Sequence, residues 1–268
     1  MKRRDLLKYS PAVLLGLNAC SPSNPTPAAN ATSPMAPPNT GYRPPAYAGS
    51  AIRNPDINLP NKFGNVGISH SRGNTNMPYI AMTFDDGPHP QNTPRLLDML
   101  RARNIKATFY VIGGNVDRYP QIVRRTVSEG HEIGNHTYTH RKLTSLSDSE
   151  VRRELSRTRD AIARASGVQP RTLRPPYGAL NQNQRVMIYN EFRYPTILWS
   201  VDPNDWRRPG VSVVTSRILS GANNGAIILA HDLHSTTVDA MPATLDGLLR
   251  KGFKFVTVSQ LLAMKGSA

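Results

Sequence analysis

Residues 79–88 read YIAMTFDDGP, an apolar run from Tyr79 to Phe84 that stops at two consecutive carboxylates, Asp85 and Asp86, and a Gly-Pro turn. A short, near-continuous apolar run is the pattern of a strand covered on both faces, as in a parallel sheet. Working outward, similar runs recur at Ala107–Ile112, His131–His136, Thr172–Pro176, Pro195–Val201, Ala226–His231 and Phe253–Val258. Helical signals lie between them. Thr93-Pro94 precedes Leu96, Leu97 and Leu100, with Pro suited to a first helical position. Ser147 and Glu150 have capping-box spacing and open a helix through Val151, Leu155 and Ile162 that stops at Gly167. Val211–Ala222 and Val238–Arg250 complete the set. Alternating strands and helices predict one α/β domain with a mostly parallel sheet, either open and doubly wound or closed into a barrel.

In both architectures chemistry collects at the C-terminal ends of the strands. Five of the seven predicted strands end in or beside titratable groups: Asp85-Asp86, His136 with His140, Arg174, Asp202 to Asp205, and His231-Asp232. Asp-Asp-Gly-Pro alone is an ordinary turn. His136 and His140 are four residues apart, so one helical turn puts both imidazoles on the same side. Two histidines and a carboxylate suit Zn²⁺ or a similar divalent ion and leave positions open for water and substrate. His131-Glu132 does not make a zinc-protease motif, because the next histidine, His136, stands at the wrong spacing for H-E-x-x-H. A metal, a second carboxylate and a histidine acid together fit metal-assisted hydrolysis of an amide or ester.

The ordered segments TFDDGP (83–88), HTYTH (136–140), RPPYG (174–178), DPNDW (202–206) and LAH (229–231) resemble the five motifs of the polysaccharide deacetylases, the NodB-homology domain of carbohydrate esterase family 4. The resemblance implies a distorted (β/α) barrel of about seven strands. It implies Asp85 as general base and Asp86, His136 and His140 as metal ligands, with Arg174 orienting Asp85. The backbone N–H of Tyr177 would help stabilise the oxyanion, and His231 would be the general acid, tuned by Asp205. Trp206 and Leu229 would form the apolar groove for the acetyl methyl group. Ala230 stands where Leu is common in the family, and Tyr138 sits inside the histidine pair; neither replaces a catalytic group. His131 is expected to be structural, and His234 and Asp232 to support the acid.

The chain has 268 residues, one Cys, 23 Pro and a hydrophobic fraction of 38%. One Cys excludes an intramolecular disulfide framework and any Cys-rich zinc site. Residues 1–18 read as a signal peptide, with Lys2-Arg3-Arg4 before a short apolar core that is too short to span a bilayer of about 30 Å. Leu17-Asn18-Ala19-Cys20 resembles a bacterial lipobox, which makes Cys20 the lipidation site and a membrane anchor. Arg3-Arg4 also resembles a twin-arginine signal, so both export routes stay open. The expected organisation is a signal peptide over 1–20, a Pro-rich disordered tether over 21–60 and a catalytic domain over 61–268.

Of the net charge of +15, residues 1–20 carry +3 and residues 21–60 carry +1, leaving +11 on the domain. Such a charge suits an anionic surface or an acidic wall polymer. There is no Lys/Arg block interleaved with aromatics, so nothing points to a nucleic-acid partner, and no protein partner is indicated. The expectation is an exported, lipid-anchored, metal-dependent N-deacetylase of the bacterial cell envelope that hydrolyses N-acetyl groups of a GlcNAc-containing polysaccharide, with Zn²⁺ in the first place and Co²⁺ or another divalent ion otherwise. Peptidoglycan is the favoured substrate because a tethered envelope enzyme meets it first. Chitooligosaccharide, poly-N-acetylglucosamine and acetylxylan also present acetyl groups, and the motifs do not separate them. A small cyclic amide is disfavoured by the export signal. A non-catalytic wall-binding module would show damage at Asp85, Asp86, His136, His140 or His231, and none is damaged.

Overall fold

The YIAMTFD stretch forms a strand from Tyr79 to Asp85 whose alternate residues serve two different environments. Ile80, Met82 and Phe84 join the large core formed with the surrounding helices, where Leu96, Leu97 and Leu100 are completely buried. Ala81 faces the other way, into a smaller cluster with Tyr110, Ile197, Ile227 and Leu261. Thr83 and Asp85, which share its face by the two-residue period of a strand, are also buried. Burying one Leu side chain is worth roughly 1.5–3 kcal/mol, so the helix-facing side supplies most of the cohesion.

The computed structural model describes residues 69–264. The expected signal peptide, Cys20 and the Pro-rich tether lie outside the described residues. In chain order the elements are β1 (Ser69–His70), β2 (Tyr79–Asp85), α1 (Asn92–Ala102), β3 (Thr108–Val111), α2 (Gly113–Arg118), α3 (Pro120–Ser128), β4 (Glu132–Asn135) and α4 (Asp148–Ser166). They continue with α5 (Gln182–Phe192), β5 (Thr196–Ile197), α6 (Val211–Gly221), β6 (Ile227–Ile228), α7 (Ser235–Arg250), β7 (Lys254–Phe255) and α8 (Val258–Ala263). Among the described residues no helix is long and apolar enough to cross a membrane.

All the strand ladders are parallel, and their pairings run in a ring. β2 pairs with β3 and β3 with β4. Single bridges then link Asn135 to Leu173, Leu173 to Thr196, and Val201 to Ile228. β6 returns to β2 through Ala81–Ile227 and Met82–Ile228. The expected α/β barrel is therefore present, distorted because much of the ring is held by single bridges instead of continuous ladders. Pro195–Val201 and Ala226–His231 shorten to Thr196–Ile197 and Ile227–Ile228, and two further features differ from expectation. Thr172–Pro176 is not a strand; only Leu173 bridges, because Pro175 and Pro176 cannot donate to a ladder. Phe253–Val258 shortens to Lys254–Phe255, because Thr257 accepts from Gln260 N and caps α8.

The Ser147 box is formed, and α4 ends at Gly167 with φ 76°, as its sequence signals require. Gly134 in β4 is needed for a different reason. A Cβ there would collide with the Tyr110 ring, which crosses the barrel interior from the neighbouring strand.

Candidate active site at the strand exits

Asp86, His136 and His140 come together at the mouth of the ring, with three potential ligand atoms within 4.8 Å of one another. His136 follows the end of β4, and its Nδ1 lies 2.6 Å from the Arg174 carbonyl oxygen. A carbonyl only accepts, so Nδ1 carries a proton and Nε2 is the nitrogen turned toward the carboxylates. That Nε2 is 3.3 Å from Asp86 Oδ1, and His140 Nε2 is 3.2 Å from the same oxygen. Asp86 Oδ1 is nevertheless buried without a hydrogen-bond partner. Burial opposes the charge of Asp86, but the facing imidazoles outweigh it and hold the carboxyl well below the usual carboxylate range. An orphaned carboxylate oxygen facing two imidazole nitrogens is a donor set that fits a divalent cation.

The histidine pair does not sit on a helical turn, contrary to the reading from spacing. Residues 136–140 form a bent loop in which Thr137 and His140 have φ of 67° and 58°. A β-branched residue at positive φ is strained, and local hydrogen bonds hold it there. Thr137 N donates to Asn135 Oδ1 at 2.9 Å, and Thr137 Oγ1 accepts from His140 N at 3.1 Å. The loop is also gripped by Glu154 of α4. Its carboxylate accepts from Tyr138 N at 2.8 Å, Thr139 N at 2.7 Å and Thr139 Oγ1 at 2.7 Å. Sequence reasoning missed Glu154. The signal was present, since a Glu at i+3 from Val151 lies on the buried face of that amphipathic helix and needs partners there.

Asp85 stands beside this set, with Oδ2 3.8 Å from His136 Nε2. Its other oxygen accepts from Arg174 Nη1 at 2.8 Å. Arg174 has no exposed surface. It also donates to Thr83 Oγ1 and to the carbonyls of Ile197 and Leu198, and its guanidinium lies 4.3 Å from the Tyr110 ring centroid. A buried guanidinium so fully engaged cannot swing away, and it fixes the direction in which the Asp85 carboxylate points.

The C-terminal end of β6 brings His231 to the same mouth, where it bridges Asp85 in parallel register. Asp205, fully buried, takes His231 Nδ1 at 2.8 Å and His231 N at 2.8 Å, with Thr237 Oγ1 completing its shell at 2.8 Å. Burial opposes the imidazolium, but the bond and charge of Asp205, aided by Asp85 and Asp86, push His231 up to about 9. Tyr177 has φ 60° and is 69% exposed, and its ring is 5.0 Å from that of His140. Trp206 is half exposed, whereas Leu229 is buried.

Of the residues expected to be peripheral, His131 is buried just before β4 and accepts from Ala107 N. Burial lowers it to about 4, as suits a neutral structural imidazole. Asp232 is fully buried and accepts from Thr93 Oγ1, while its Oδ1 has no partner. Burial pushes its carboxyl up to about 7. It also explains Gly87, where a Cβ would lie 2.5 Å from Asp232 Oδ2.

Residues 72–196 match the family model described as polysaccharide deacetylase. The chain is 42% identical over 186 residues to the peptidoglycan-N-acetylglucosamine deacetylase PgdA of Listeria monocytogenes. That match covers 69% of this chain and 39% of the relative, so the chain spans about two fifths of the length of the first curated relatives it matches. Among solved structures it is similar to the Bc1960 peptidoglycan N-acetylglucosamine deacetylase in complex with 4-naphthalen-1-yl-N-oxidanyl-benzamide. The TM-score is 0.70 and the identity 35%, covering 74% of this chain and 94% of that one. It is similar too to a carbohydrate esterase family 4 pseudoenzyme from Bacillus anthracis, at TM-score 0.69 and 30% identity, covering 75% and 70% of the two chains. A fold match of this quality thus occurs with a deacetylase and a pseudoenzyme alike.

Proposed function

The chain belongs to the polysaccharide deacetylase family, and from that premise we propose that it hydrolyses N-acetyl groups on GlcNAc residues of peptidoglycan in the bacterial cell envelope. The observation that carries this reading is the convergence, at one mouth, of the Asp86–His136–His140 donor set with two oppositely charged pairs, Asp85–Arg174 and His231–Asp205. The peptidoglycan deacetylases among its relatives support the choice of glycan.

Asp86, His136 and His140 would hold the metal, Zn²⁺ by the donor types. When bound, a divalent ion supplies a Lewis acid that polarises a carbonyl and lowers the pKa of water. The chain's own residues do the rest. Asp85, aimed by Arg174, takes a proton from the water attacking the acetamide carbon. The Tyr177 N–H donates to the oxygen that gains charge. His231 is kept protonated by Asp205 and gives its proton to the departing sugar nitrogen. One water and one acetamide become acetate and a free amine. Trp206 and Leu229 would shelter the acetyl methyl group. The N-terminal region would export the chain and anchor it through a lipid on Cys20.

The test is incubation of the full chain with purified peptidoglycan, counting acetate released and free amines formed. Equal yields of both are expected. Amines without acetate, or neither product, would remove the reading, whereas activity on neutral chitooligosaccharide alone would move the substrate and keep the reaction.

A further inference from the structure

Asp205, which orients His231, opens a single 3-10 turn, Asp205–Arg207. Asn204 and Arg208 bracket that turn, both with φ 53°. The turn is braced from both ends. Asn204 N donates to Asp202 Oδ1 at 2.7 Å, Arg217 Nη1 donates to the Pro203 carbonyl at 2.9 Å, and Arg208 N donates to the Asp205 carbonyl at 2.8 Å. While Asp205 points inward and is fully buried, Trp206, Arg207 and Arg208 are exposed. The Arg207 guanidinium lies 4.6 Å from the Trp206 ring centroid.

Arg95, Arg125, Arg152 and Arg164 each lie 2.6–2.9 Å from a carboxylate. Arg207 and Arg208 belong with the exposed arginines that have no carboxylate partner among the described residues, Arg118, Arg153, Arg193 and Arg250 among them, and are set apart by their place on the turn that carries Asp205. They closely follow Asp205, whose carboxylate accepts from His231 N and lies 2.8 Å from His231 Nδ1, and the His234 ring centroid is 6.1 Å from that of His231. Two unneutralised cations beside a protonated acid repel one another, and a neutral acetamide has no use for them. A substrate with carboxylates flanking the acetamide would neutralise them, and guanidinium is the group whose geometry matches a carboxylate.

We propose that Arg207 and Arg208 form a carboxylate-recognition subsite at the rim of the active site, selecting glycans with carboxylate-bearing substituents over neutral ones. The proposal rests on the deacetylase reading above and narrows its substrate to an acidic polymer. Peptidoglycan offers such carboxylates on the lactyl ether of the muramic sugar and on its peptides.

The experiment compares the full chain with the R207Q/R208Q and R207K/R208K variants on three soluble substrates: peptide-bearing glycan strands, strands stripped of peptide that keep the lactyl carboxylate, and neutral chitooligosaccharide. An exposed guanidinium–carboxylate contact changes affinity about two- to fivefold. The kcat/KM ratio of acidic to neutral substrate should therefore fall about fivefold or more in R207Q/R208Q, through KM, and recover only in part in R207K/R208K, which keeps the charge and loses the planar fork. Loss of preference on the stripped strands would locate the carboxylate on the peptide, and its retention would locate it on the lactyl group. A ratio unchanged in R207Q/R208Q overturns the subsite. Sedimentation of the same proteins with insoluble peptidoglycan and with chitin, after metal removal and at low and high salt, reads binding without turnover. An arginine-dependent, salt-sensitive preference for peptidoglycan there supports the subsite even if acetate release fails, and its absence counts against it.

Discussion

Position 85 shows how much of the chemistry rests on single atoms. Asp85 is buried, and its direction is set by one guanidinium that is itself buried and also bonded to Thr83 and Leu198. On the proposed mechanism, Asp85→Asn keeps the donor set intact, so metal content by elemental analysis stays near wild type while kcat falls about 10²- to 10⁴-fold. Asp86→Ala and His140→Ala remove a ligand atom, and metal and turnover should disappear together; retained metal at full occupancy would reject those ligands. The acid gives a pH signature with a definite sign. His231 is raised to about 9, chiefly because Asp205 outweighs burial, and it must be protonated to act. Activity should therefore hold through neutral pH and decline as pH rises through about 9. Asp205→Asn withdraws the stabilising charge, so the alkaline limb of kcat should move to lower pH, and an unmoved limb would remove Asp205 from that role. At this scale the sequence was highly legible, because five short motifs in fixed order carry the reactive side chains. It was illegible where a partner is remote in sequence and has no motif, as with Asp232 and Thr93.

The elements explain both the success of the strand reading and its errors. β2 was readable because its core is buried on both faces and its end is marked by carboxylates. Thr172–Pro176 failed because two prolines reduce a predicted strand to one bridging residue, Leu173. α5 and α8 were overlooked although each opens with a capping box, Asn181 with Gln184 and Thr257 with Gln260, because Asn and Gln caps are less conspicuous than Ser147 with Glu150. The histidine loop was misread as a helical turn because spacing alone cannot distinguish a turn of helix from a bend held by Asn135, Thr137 and Glu154. Glu154→Gln should test that grip. An amide cannot accept from all three donors as the carboxylate does, so metal affinity by competition with a chromophoric chelator should weaken about 10- to 100-fold. Ser147→Ala lies on the same helix and removes only its cap. It should cost about 1 kcal/mol in thermal unfolding and leave turnover unchanged; a matching loss of activity would mean that the whole of α4, and not Glu154, sets the site.

For the whole molecule, the ring of parallel pairings determines where function is found. Asp85, His136, Arg174 and His231 reach one mouth because β2, β4, the Leu173 bridge and β6 all run the same way and end at the same level. The net charge of +11 on residues 61–268 agrees with a domain that works against an acidic polymer. Cys20 falls outside the described residues, and its proposed role is checked separately: Cys20→Ser should leave the chain unlipidated by mass spectrometry of the membrane fraction. The central claim is that the mouth is a working metal-dependent deacetylase, although a pseudoenzyme shares its fold. Its most direct test is acetate release from peptidoglycan by the full chain, measured against bound metal as the ion is stripped by a chelator and then restored with Zn²⁺. The account predicts that turnover falls and returns in proportion to one metal per chain; turnover that survives complete stripping, or a fully loaded chain that releases no acetate from any acetylated glycan, would contradict it.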